Sequence, residues 1–527
     1  MMSALALARP QLPAIEAYLP AQEKFNQLLT QLRASETKQM THSQLENLIE
    51  TEGREVLRRL LQGHLDERAP GTSTTPVVDA LDRTRTQQRT HTRQLESLFG
   101  TVTVTRIGYG GRALESLHPL DAALNLPPER YSHTLRRRAG EAAAQTSFDE
   151  VVTALAQTSG AHLPKRQAEQ LVARAAADFD TFYHNQRAQT AAEVRASGSL
   201  LVLTTDGKGI PMRRRDLRPV TRQAAEGRQH KLAKRRSRGE KTATKRMGTV
   251  AAVYTTRPCP RTPEEIVAEL RTEEATRPRA RPRPEDKRVW ASVEHAPQAV
   301  IRQAFDEAVR RDPNGTKQWC ALVDGSPYQL TILRKVARDY AVKLTIVLDL
   351  IHVCEYVWGA AWAVFREGDP AAEAWVRKRL LEILCGRSSV VAAGLRRSAT
   401  LRGLSKQERA PLDRCANYLL KYRDYLRYDE YLAAGLPIAT GVIEGACRHL
   451  VKDRMEVTGA RWGLHGAEAV LRLRSLRSSG DFDEYWEFHL QQEYQRHHTP
   501  HYAEGKVPIL QSSAKAAGKS THLQLVK

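Results

Sequence analysis

The sequence predicts an α/β protein, in which a mixed sheet and its helices follow a mainly helical N-terminal region. Two observations carry this prediction. Apolar runs of strand length, rich in Val, Leu and Tyr, recur between residues 200 and 348, whereas helical periodicity dominates before and after them. With 527 residues, 41% of them apolar, the chain can build several cores and does not have the composition of a disordered protein.

The N-terminal part of the chain divides into two predicted regions. Residues 1–97 are predicted to be helical, because Ser43–Glu46 has capping-box spacing and leucines follow at helical intervals. Residues 98–195 are predicted to form a β-hairpin, from the alternation in Thr101–Thr105 and the glycines after it, and then a helix-turn-helix around Ser159–Gly160. Most such helix pairs are only packed helices, so DNA binding by this region rests on the charge of the whole chain.

The sheet is predicted to begin at residue 196. Residues 196–350 form its first part, residues 351–435 are helical without strands, and residues 436–490 form the final helices packed on the sheet. The polar residues 491–527 are predicted to be a flexible tail. The predicted strands are Leu200–Thr205, Gly248–Thr255, Val289–Val293, Trp319–Val323 and Val342–Leu348.

The charge of the chain predicts a polyanionic partner. The formal net charge is +21 and the isoelectric point is near 9.8, and an excess of this size points first to nucleic acid. A generally basic protein without such a partner is the alternative interpretation.

The cysteine pattern and the hydropathy predict a cytoplasmic protein without a membrane partner. The six cysteines are scattered with no CxxC pair, which argues against a disulfide framework or a structural zinc site. The first ten residues lack the basic start and the cleavage site of a signal peptide. The most apolar long stretch, Thr345–Phe365, contains Asp349, His352 and Glu355, so it is not predicted to span a membrane.

Three acidic residues stand where a chain can hold a divalent metal ion. Asp206 and Asp324 each follow a predicted strand and precede a glycine, and Glu444 lies in a predicted helix. Carboxylate oxygens suit Mg²⁺ or Mn²⁺, and two ions about 3.5–4 Å apart can activate an attacking oxygen and stabilise a leaving one. Taken singly, an Asp-Gly pair is usually a turn and a helical Glu usually lies on the surface. Asp349 also ends a predicted strand and is a rival to Asp324, and His352 follows it as a candidate partner or a core histidine.

A basic stretch follows the first of these acids. Arg213–Arg246 holds 14 Lys or Arg against three acidic residues, a net charge of +11. Beside a catalytic site it would hold DNA phosphates with salt-dependent affinity, and the alternative is a solvated charge run. The predicted DNA-contacting residues are Lys208, Arg213, Arg214, Arg215, Lys234, Arg235, Arg236, Arg461 and Trp462.

Together these motifs resemble those of the DDE transposases of bacterial insertion sequences, and in particular the ISKra-type family, which is related to Mutator-like transposases. The resemblance extends from about Phe99 to Trp486. The stretches that carry it are Thr205–Gly209, Val323–Gly325, Asp349–His352 and Gly441–Glu444, with Arg454–Met455 and Arg461–Trp462 as further matching positions.

The resemblance implies an RNase H-like mixed-sheet core interrupted by an all-helical insertion. Asp206, Asp324 and Glu444 would be the catalytic, metal-holding acids, and Asp349 with His352 would match a supporting motif outside that trio. The implied cofactor is Mg²⁺ or Mn²⁺, as two ions. The implied partners are double-stranded DNA, as terminal inverted repeats and as target, and further copies of this chain in a homodimer or larger assembly.

The activity implied by the resemblance is DNA transposition by a nucleoid-associated cytoplasmic protein. One end of a mobile element is cut to release a 3′-OH, and that hydroxyl then joins directly to target DNA. A structure-specific nuclease or resolvase would use the same acids without joining ends. A catalytically inactive DNA-binding regulator would need only the basic surface.

Overall fold

The protein forms two compact units. The first contains the residues up to Asp178 and those from Asp483 onwards, and the second is Phe179–Phe482. Each unit combines helices with a sheet, so the predicted α/β fold class is confirmed. None of the helices described is long and apolar enough to cross a membrane. The structure, a computed structural model, describes residues 16–226, 244–269, 281–366, 368–457 and 459–510.

The first unit contains a three-stranded antiparallel sheet in the order β1-β2-β3. Helices α5, α6 and α7 pack on one another, in the region where the sequence predicts a pair of helices. The elements up to Asp178 are α1 (Leu19–Arg33), α2 (Ser35–Lys38), α3 (His42–Arg68), β1 (Gln87–Ser97), β2 (Gly100–Gly111), β3 (Leu114–Leu117), α4 (Pro119–Ala123), α5 (His133–Ala143), α6 (Phe148–Thr158) and α7 (Lys165–Ala175).

Strand β1 corrects the prediction that residues 1–97 are helical throughout. Its residues are mostly polar and exposed and carry no clear strand pattern. They become a strand because β2 pairs with them along their length, and Leu95 at the end of β1 joins a core cluster with Val102 and Val104. The predicted hairpin at the glycines is confirmed, because β2 turns back after Gly111 and pairs with β3. Gly108 itself lies inside β2, where a Cβ would come within 2.8 Å of the His91 ring.

The second unit is built on a five-stranded sheet. Its elements up to the last strand are α8 (Phe179–His184), α9 (Ala191–Ala196), β4 (Leu200–Pro211), α10 (Pro219–Glu226), β5 (Lys245–Thr256), α11 (Pro263–Glu269), β6 (Glu285–Ser292), α12 (Pro297–Arg311), β7 (Gln318–Val323), α13 (Pro327–Asp339) and β8 (Leu344–Leu348). The five predicted apolar runs all lie within or overlap these strands.

The sheet of the second unit is mixed, with the order β6-β5-β4-β7-β8. Strands β4, β5 and β6 are antiparallel neighbours, whereas β4, β7 and β8 run parallel to one another. Residues Leu200–Leu203 of the central strand β4 are all at most 1% exposed. Both faces of the sheet are therefore covered, as the unbroken apolar run requires.

Helix side chains form hydrogen bonds with backbone groups of both edge strands of this sheet. The hydroxyl groups of Tyr428 and Tyr431 donate to the carbonyl oxygens of Leu348 and Ile346 in the edge strand β8, at 2.8 and 3.3 Å. At the opposite edge, the Ser479 hydroxyl accepts from the backbone N–H of Val289 in β6 at 3.0 Å. These backbone groups of the two edge strands are thus hydrogen-bonded within the unit, which leaves fewer of them to pair with another strand.

The remainder of the second unit is helical, in agreement with the prediction for residues 351–435. Helix α19 follows these helices and packs against β4 and β5. The elements are α14 (Leu350–Ala361), α15 (Pro370–Leu384), α16 (Ser388–Leu401), α17 (Lys406–Lys421), α18 (Tyr428–Ala433), α19 (Gly441–Ala446), a π-helical segment (Cys447–Lys452), α20 (Asp453–Met455) and α21 (Leu464–Ser479).

The predicted flexible tail, residues 491–527, is corrected for the part that the structure describes. Helix α22 (Phe482–His497) runs through its start, and Tyr502 beyond the helix is only 4% exposed. Tyr502 packs in an apolar cluster with Val77 and Tyr109. Backbone hydrogen bonds also hold this stretch, such as that from the N–H of Thr74 to the carbonyl oxygen of Ile509 at 2.9 Å. Residues from 511 onwards lie outside the described part of the chain.

Candidate functional site

The sheet of the second unit brings three aspartates into one row. Leu322 of β7 lies opposite Thr204 of β4 on one side and opposite Val347 of β8 on the other. Two residues further along, the same register aligns Asp206, Asp324 and Asp349. Because neighbouring strands are about 4.8 Å apart, acids far apart in the sequence become neighbours at the end of the parallel ladder.

Asp206 lies inside β4, which corrects the prediction that it follows the end of its strand. The strand continues because its ladder with β5 extends beyond the parallel part, and Asp206 pairs with Val250 there. The side chain is half-buried. Its Oδ1 accepts from the backbone N–H of Gly207 at 2.6 Å, and its Oδ2 accepts from the thiol of Cys447 at 3.1 Å.

Asp324 follows β7 at a true strand end. Gly325 after it has φ +92°, a left-handed conformation that glycine adopts without strain, so here the Asp-Gly pair is a turn as predicted. Oδ1 of Asp324 accepts from the backbone N–H of Ser326 at 3.0 Å. Oδ2 lies 3.9 Å from Nε2 of the half-buried His352, which is too long for a hydrogen bond, so this oxygen remains available to a ligand.

Both carboxylate oxygens of Asp349 are already occupied by the protein. Oδ1 caps α14 by accepting from the backbone N–H of Ile351 at 3.0 Å, and Oδ2 accepts from the hydroxyl of Thr440. The residue is only 5% exposed. Asp349 therefore connects the start of α14 to the segment that leads into α19 by hydrogen bonds. Of these two aspartates, Asp324 is the one with an oxygen that accepts no hydrogen bond from the described residues.

Glu444 reaches the site from α19. The residue is exposed, and within the described part of the chain its carboxylate has no hydrogen-bond or ion-pair partner. Directly after α19 the backbone changes to a π-helical segment that begins at Cys447. Such insertions frequently accompany functional sites because they change the direction in which side chains point.

All five acidic and supporting residues predicted from the sequence line one cavity of about 610 Å³. Its walls carry five carboxylates against three Lys or Arg side chains, a formal charge of −2 with the histidines neutral, in a chain whose net charge is +21. A concentration of unpaired carboxylates in a basic protein favours a bound cation. The charged and histidine residues of the lining are Asp206, Lys208, Asp324, Asp349, His352, Glu355, Glu444, Arg448, His449 and Lys452.

The cavity is open and is not a closed ligand cage. Among the described residues, Asp206, Asp324 and Glu444 do not place three ligand oxygens within 4.8 Å of one another. Like charges without a cation between them repel, and Mg²⁺ is bound in proteins by few carboxylates while keeping positions for water and phosphate oxygens. The arrangement thus suits ions that are shared with a substrate.

Two residues of the site were not found from the sequence. The Thr440 hydroxyl donates to Asp349, and Cys447 contacts Asp206. Burial raises the pKa of the Cys447 thiol well above its usual range, and the neighbouring Asp206 carboxylate adds to the effect, so the thiol is protonated and donates. The spacing of Cys447 from Glu444, one helical turn, is a signal that could have placed it at the site; nothing local marks Thr440.

The predicted DNA-contacting residues fall into three groups. Lys208 lines the cavity, and Arg213, Arg214, Arg215 and Arg461 are exposed. Lys234, Arg235 and Arg236 lie outside the described residues.

Trp462 differs from these residues because it is only 7% exposed. Its indole N–H donates to the carbonyl oxygen of Met455 at 3.0 Å, and Arg454 lies over its ring. Its backbone pairs with β4 through the N–H of Arg213 and the carbonyl oxygen of Pro211. This packing role corrects its prediction as a DNA-contacting side chain.

A second group of acids, in the first unit, could hold a metal ion. Asp178, His489 and Glu493 are buried and offer ligand atoms within 4.8 Å of one another. The guanidinium of Arg136 lies among them: it donates to Glu493 Oε2 at 2.5 Å and to His489 Nε2 at 3.1 Å. His489 Nε2 must accept, since a guanidinium only donates, so Nδ1 donates to Asp178 Oδ2 at 2.7 Å.

Neither comparison with known proteins identifies a relative: no protein-family model matches the chain, and no curated protein matches it.

Proposed function

We propose that this protein is a DNA transposase of the DDE type, which cuts the ends of an insertion sequence and joins them to target DNA. One observation carries the proposal. Asp206 and Asp324 are aligned by the register of the neighbouring parallel strands β4 and β7. Glu444 lies on a helix that packs on the same sheet, and all three acids line the same cavity.

The fold supports this proposal. An antiparallel meander, β4-β5-β6, continued by two parallel strands on the other side of β4, is the strand arrangement of an RNase H-like core. The helices from Leu350 to Ala433, between β8 and α19, would be the all-helical insertion that the resemblance implies. In this arrangement Asp206 and Asp324 lie just past the last paired residues of the parallel β4–β7 ladder, at the carboxyl end where ligands of open α/β sheets gather.

The three acids fit two Mg²⁺ or Mn²⁺ ions. Asp324 Oδ2 and the Glu444 carboxylate have no hydrogen bond from the described residues, and Asp206 accepts only one bond at each oxygen, so lone pairs remain. When bound, such ions supply Lewis-acid stabilisation of the attacking and leaving oxygens of a phosphodiester. Asp349 is not a ligand in this proposal, because it is only 5% exposed, whereas Asp206 is half-buried, and because its Oδ1 caps α14.

The chain's own residues then hold and orient the DNA. Lys208, Arg448 and Lys452 line the cavity beside the acids and can neutralise phosphate oxygens next to the scissile bond. In the first step water adds to phosphorus and the bond to the 3′ oxygen breaks, which leaves a 3′-OH. In the second step that oxygen bonds to a target phosphorus and displaces the target's own 3′ oxygen, so bonds are exchanged without an external energy source.

The test uses the purified full-length protein and a labelled duplex carrying the end of the DNA element that surrounds its gene. Incubation with Mg²⁺ or Mn²⁺ should release a 3′-OH at the end and then join it to a supercoiled plasmid, and EDTA should abolish both steps. The matched control is the Glu444→Gln variant, which keeps the size of the side chain and removes its charge.

Other products would overturn the proposal in distinguishable ways. Cutting of branched DNA without any joining would identify a structure-specific nuclease that uses the same acids. Tight binding to the end with no metal-dependent cutting would identify a DNA-binding regulator. Joining requires two ends, so the active form is proposed to be a homodimer or larger assembly on DNA.

A further inference from the structure

Cys447 is the cysteine that lines the acidic cavity in the described part of the chain. Its side chain is buried, and Sγ lies 3.1 Å from Oδ2 of Asp206. A buried free cysteine usually acts as a small apolar side chain, whereas this one directs its S–H at a carboxylate. The contact joins residues that are far apart in the sequence and come from two different elements.

The contact holds the Asp206 carboxylate from the side opposite to the backbone. Oδ1 is held by the N–H of Gly207 at 2.6 Å and Oδ2 by Cys447. Each oxygen therefore has one donor, and rotation of the carboxylate about its Cβ–Cγ bond would break both contacts. The remaining lone pairs point away from these donors and are the ones available to a cation.

Cys447 also connects Asp206 to Glu444. It lies one helical turn after Glu444, at the start of the π-helical segment. A hydrogen bond from this position to β4 sets the distance between the strand that bears Asp206 and the helix that bears Glu444. A thiol is a weak donor, so it orients the carboxylate while withdrawing little of the negative charge that attracts a cation.

We propose that Cys447 is a positioning residue, whose thiol hydrogen bond orients the Asp206 carboxylate for binding a divalent cation. This inference rests on the proposed function only in the identity of the cation. Removing a residue that hydrogen-bonds to a metal ligand typically weakens metal binding by about 10–100-fold. We therefore expect the loss of the Cys447 thiol to weaken binding of the ion.

The experiment measures Mn²⁺ binding to the full-length protein by electron paramagnetic resonance, without DNA and without turnover. Cys447→Ala should raise the Mn²⁺ dissociation constant about 10-fold, whereas Cys447→Ser, which keeps a donor, should stay within about 2-fold of the unmodified protein. Cys415→Ala is the matched control: Cys415 is also buried and free but does not line the cavity, and its loss should leave Mn²⁺ affinity unchanged.

The outcomes separate this inference from the proposed function. Mn²⁺ binding that weakens in Cys447→Ala but not in Cys447→Ser supports the positioning role, even if the protein never cuts DNA. An unchanged affinity in Cys447→Ala, an equal loss in the Ala and Ser variants, or no Mn²⁺ binding by the unmodified protein overturns it. If Cys447→Ala does not show a cooperative thermal transition, Cys447→Val replaces it, because valine fills the buried volume without offering a donor.

Discussion

The protein contains two groups of buried or half-buried carboxylates, and they differ in where their neutralising charge comes from. In the first unit, Arg136 is fully buried and donates to Glu129, Glu493 and His489. In the second unit, the acids of the cavity have lone pairs that no side-chain cation of the described residues occupies. The first group is therefore neutralised by side chains of the chain itself, whereas the lining of the second keeps an excess of negative charge.

This difference explains why the acids of the first unit lie closer together than those of the cavity. Asp178, His489 and Glu493 lie close together because positively charged arginines hold them there. Arg496 donates to both Asp178 and Glu493. The acids of the first unit thus lie close together because ion pairs with arginines hold them there. The acids of the cavity lie further apart, and no such ion pairs hold them among the described residues.

The largest expected effect is a loss of DNA cleavage when aspartates of the cavity are replaced, but not when an acid of the first unit is replaced. Asp206→Asn and Asp324→Asn should each lower the rate of metal-dependent end cleavage about 10³-fold or more, the scale of losing a group that stabilises transition-state charge, with binding to end DNA retained. Cleavage kinetics and a gel-shift titration measure the two quantities. Asp178→Asn is the control from the first group, and an equal loss of cleavage in that variant would break the comparison.

Next in size is the loss of the internal cation of the first unit. Arg136→Met should lower the free energy of unfolding by about 3–5 kcal/mol, because it leaves buried carboxylates without their partner. Urea denaturation followed by circular dichroism measures this. If Zn²⁺ or Mn²⁺ restored the stability of Arg136→Met fully, or raised that of the unmodified protein through Asp178, the first group would be a metal site and not a closed ion-pair network.

A smaller effect is expected at the hydrogen bond between Asp349 and Thr440. Thr440→Val should cost about 1–3 kcal/mol, since it leaves a buried carboxylate oxygen without its donor, and it should weaken cleavage by displacing the segment before Glu444. Thr331→Val, which removes an exposed hydroxyl bond to Pro327, is the matched control. Equal stability of the two variants, measured by urea denaturation, would show that Asp349 is not held by Thr440.

The smallest predicted effect is a pH dependence of stability from the first unit. Burial lowers the pKa of His498 to about 4, with His497 and His501 adding to the shift and the carbonyl oxygen of Leu126 opposing it. An unfolded histidine titrates near 6.5, so the unfolded chain binds the extra proton first and stability falls as the pH drops from about 6.5 to 4.

Thermal unfolding at a series of pH values tests this prediction. The variant His498→Gln keeps a donor to Leu126 and removes the titration, so its melting temperature should fall less steeply between pH 6.5 and 4 than that of the unmodified protein. Identical slopes would assign the acid sensitivity to other groups.

The strands and the identity of the candidate acids could be predicted from the sequence because their signals are local. The apolar run of β4 is continuous, since both faces of a central strand are buried, and α14 to α18 follow from helical periodicity. Strand β1 could not be predicted, because its polar residues become a strand only through pairing with β2. Tyr502 likewise orders the C-terminal segment through residues distant in the chain.

The sequence by itself determined which residues could bind a cation, since carboxylates after apolar runs are visible one by one. Only the tertiary structure shows which partners these residues have. Asp349 accepts from the hydroxyl of Thr440 and caps its own helix, Asp206 accepts from the thiol of Cys447, and Trp462 is buried by packing. Each of these contacts involves a residue that the fold brings close from elsewhere in the chain. Local sequence patterns do not show such partners.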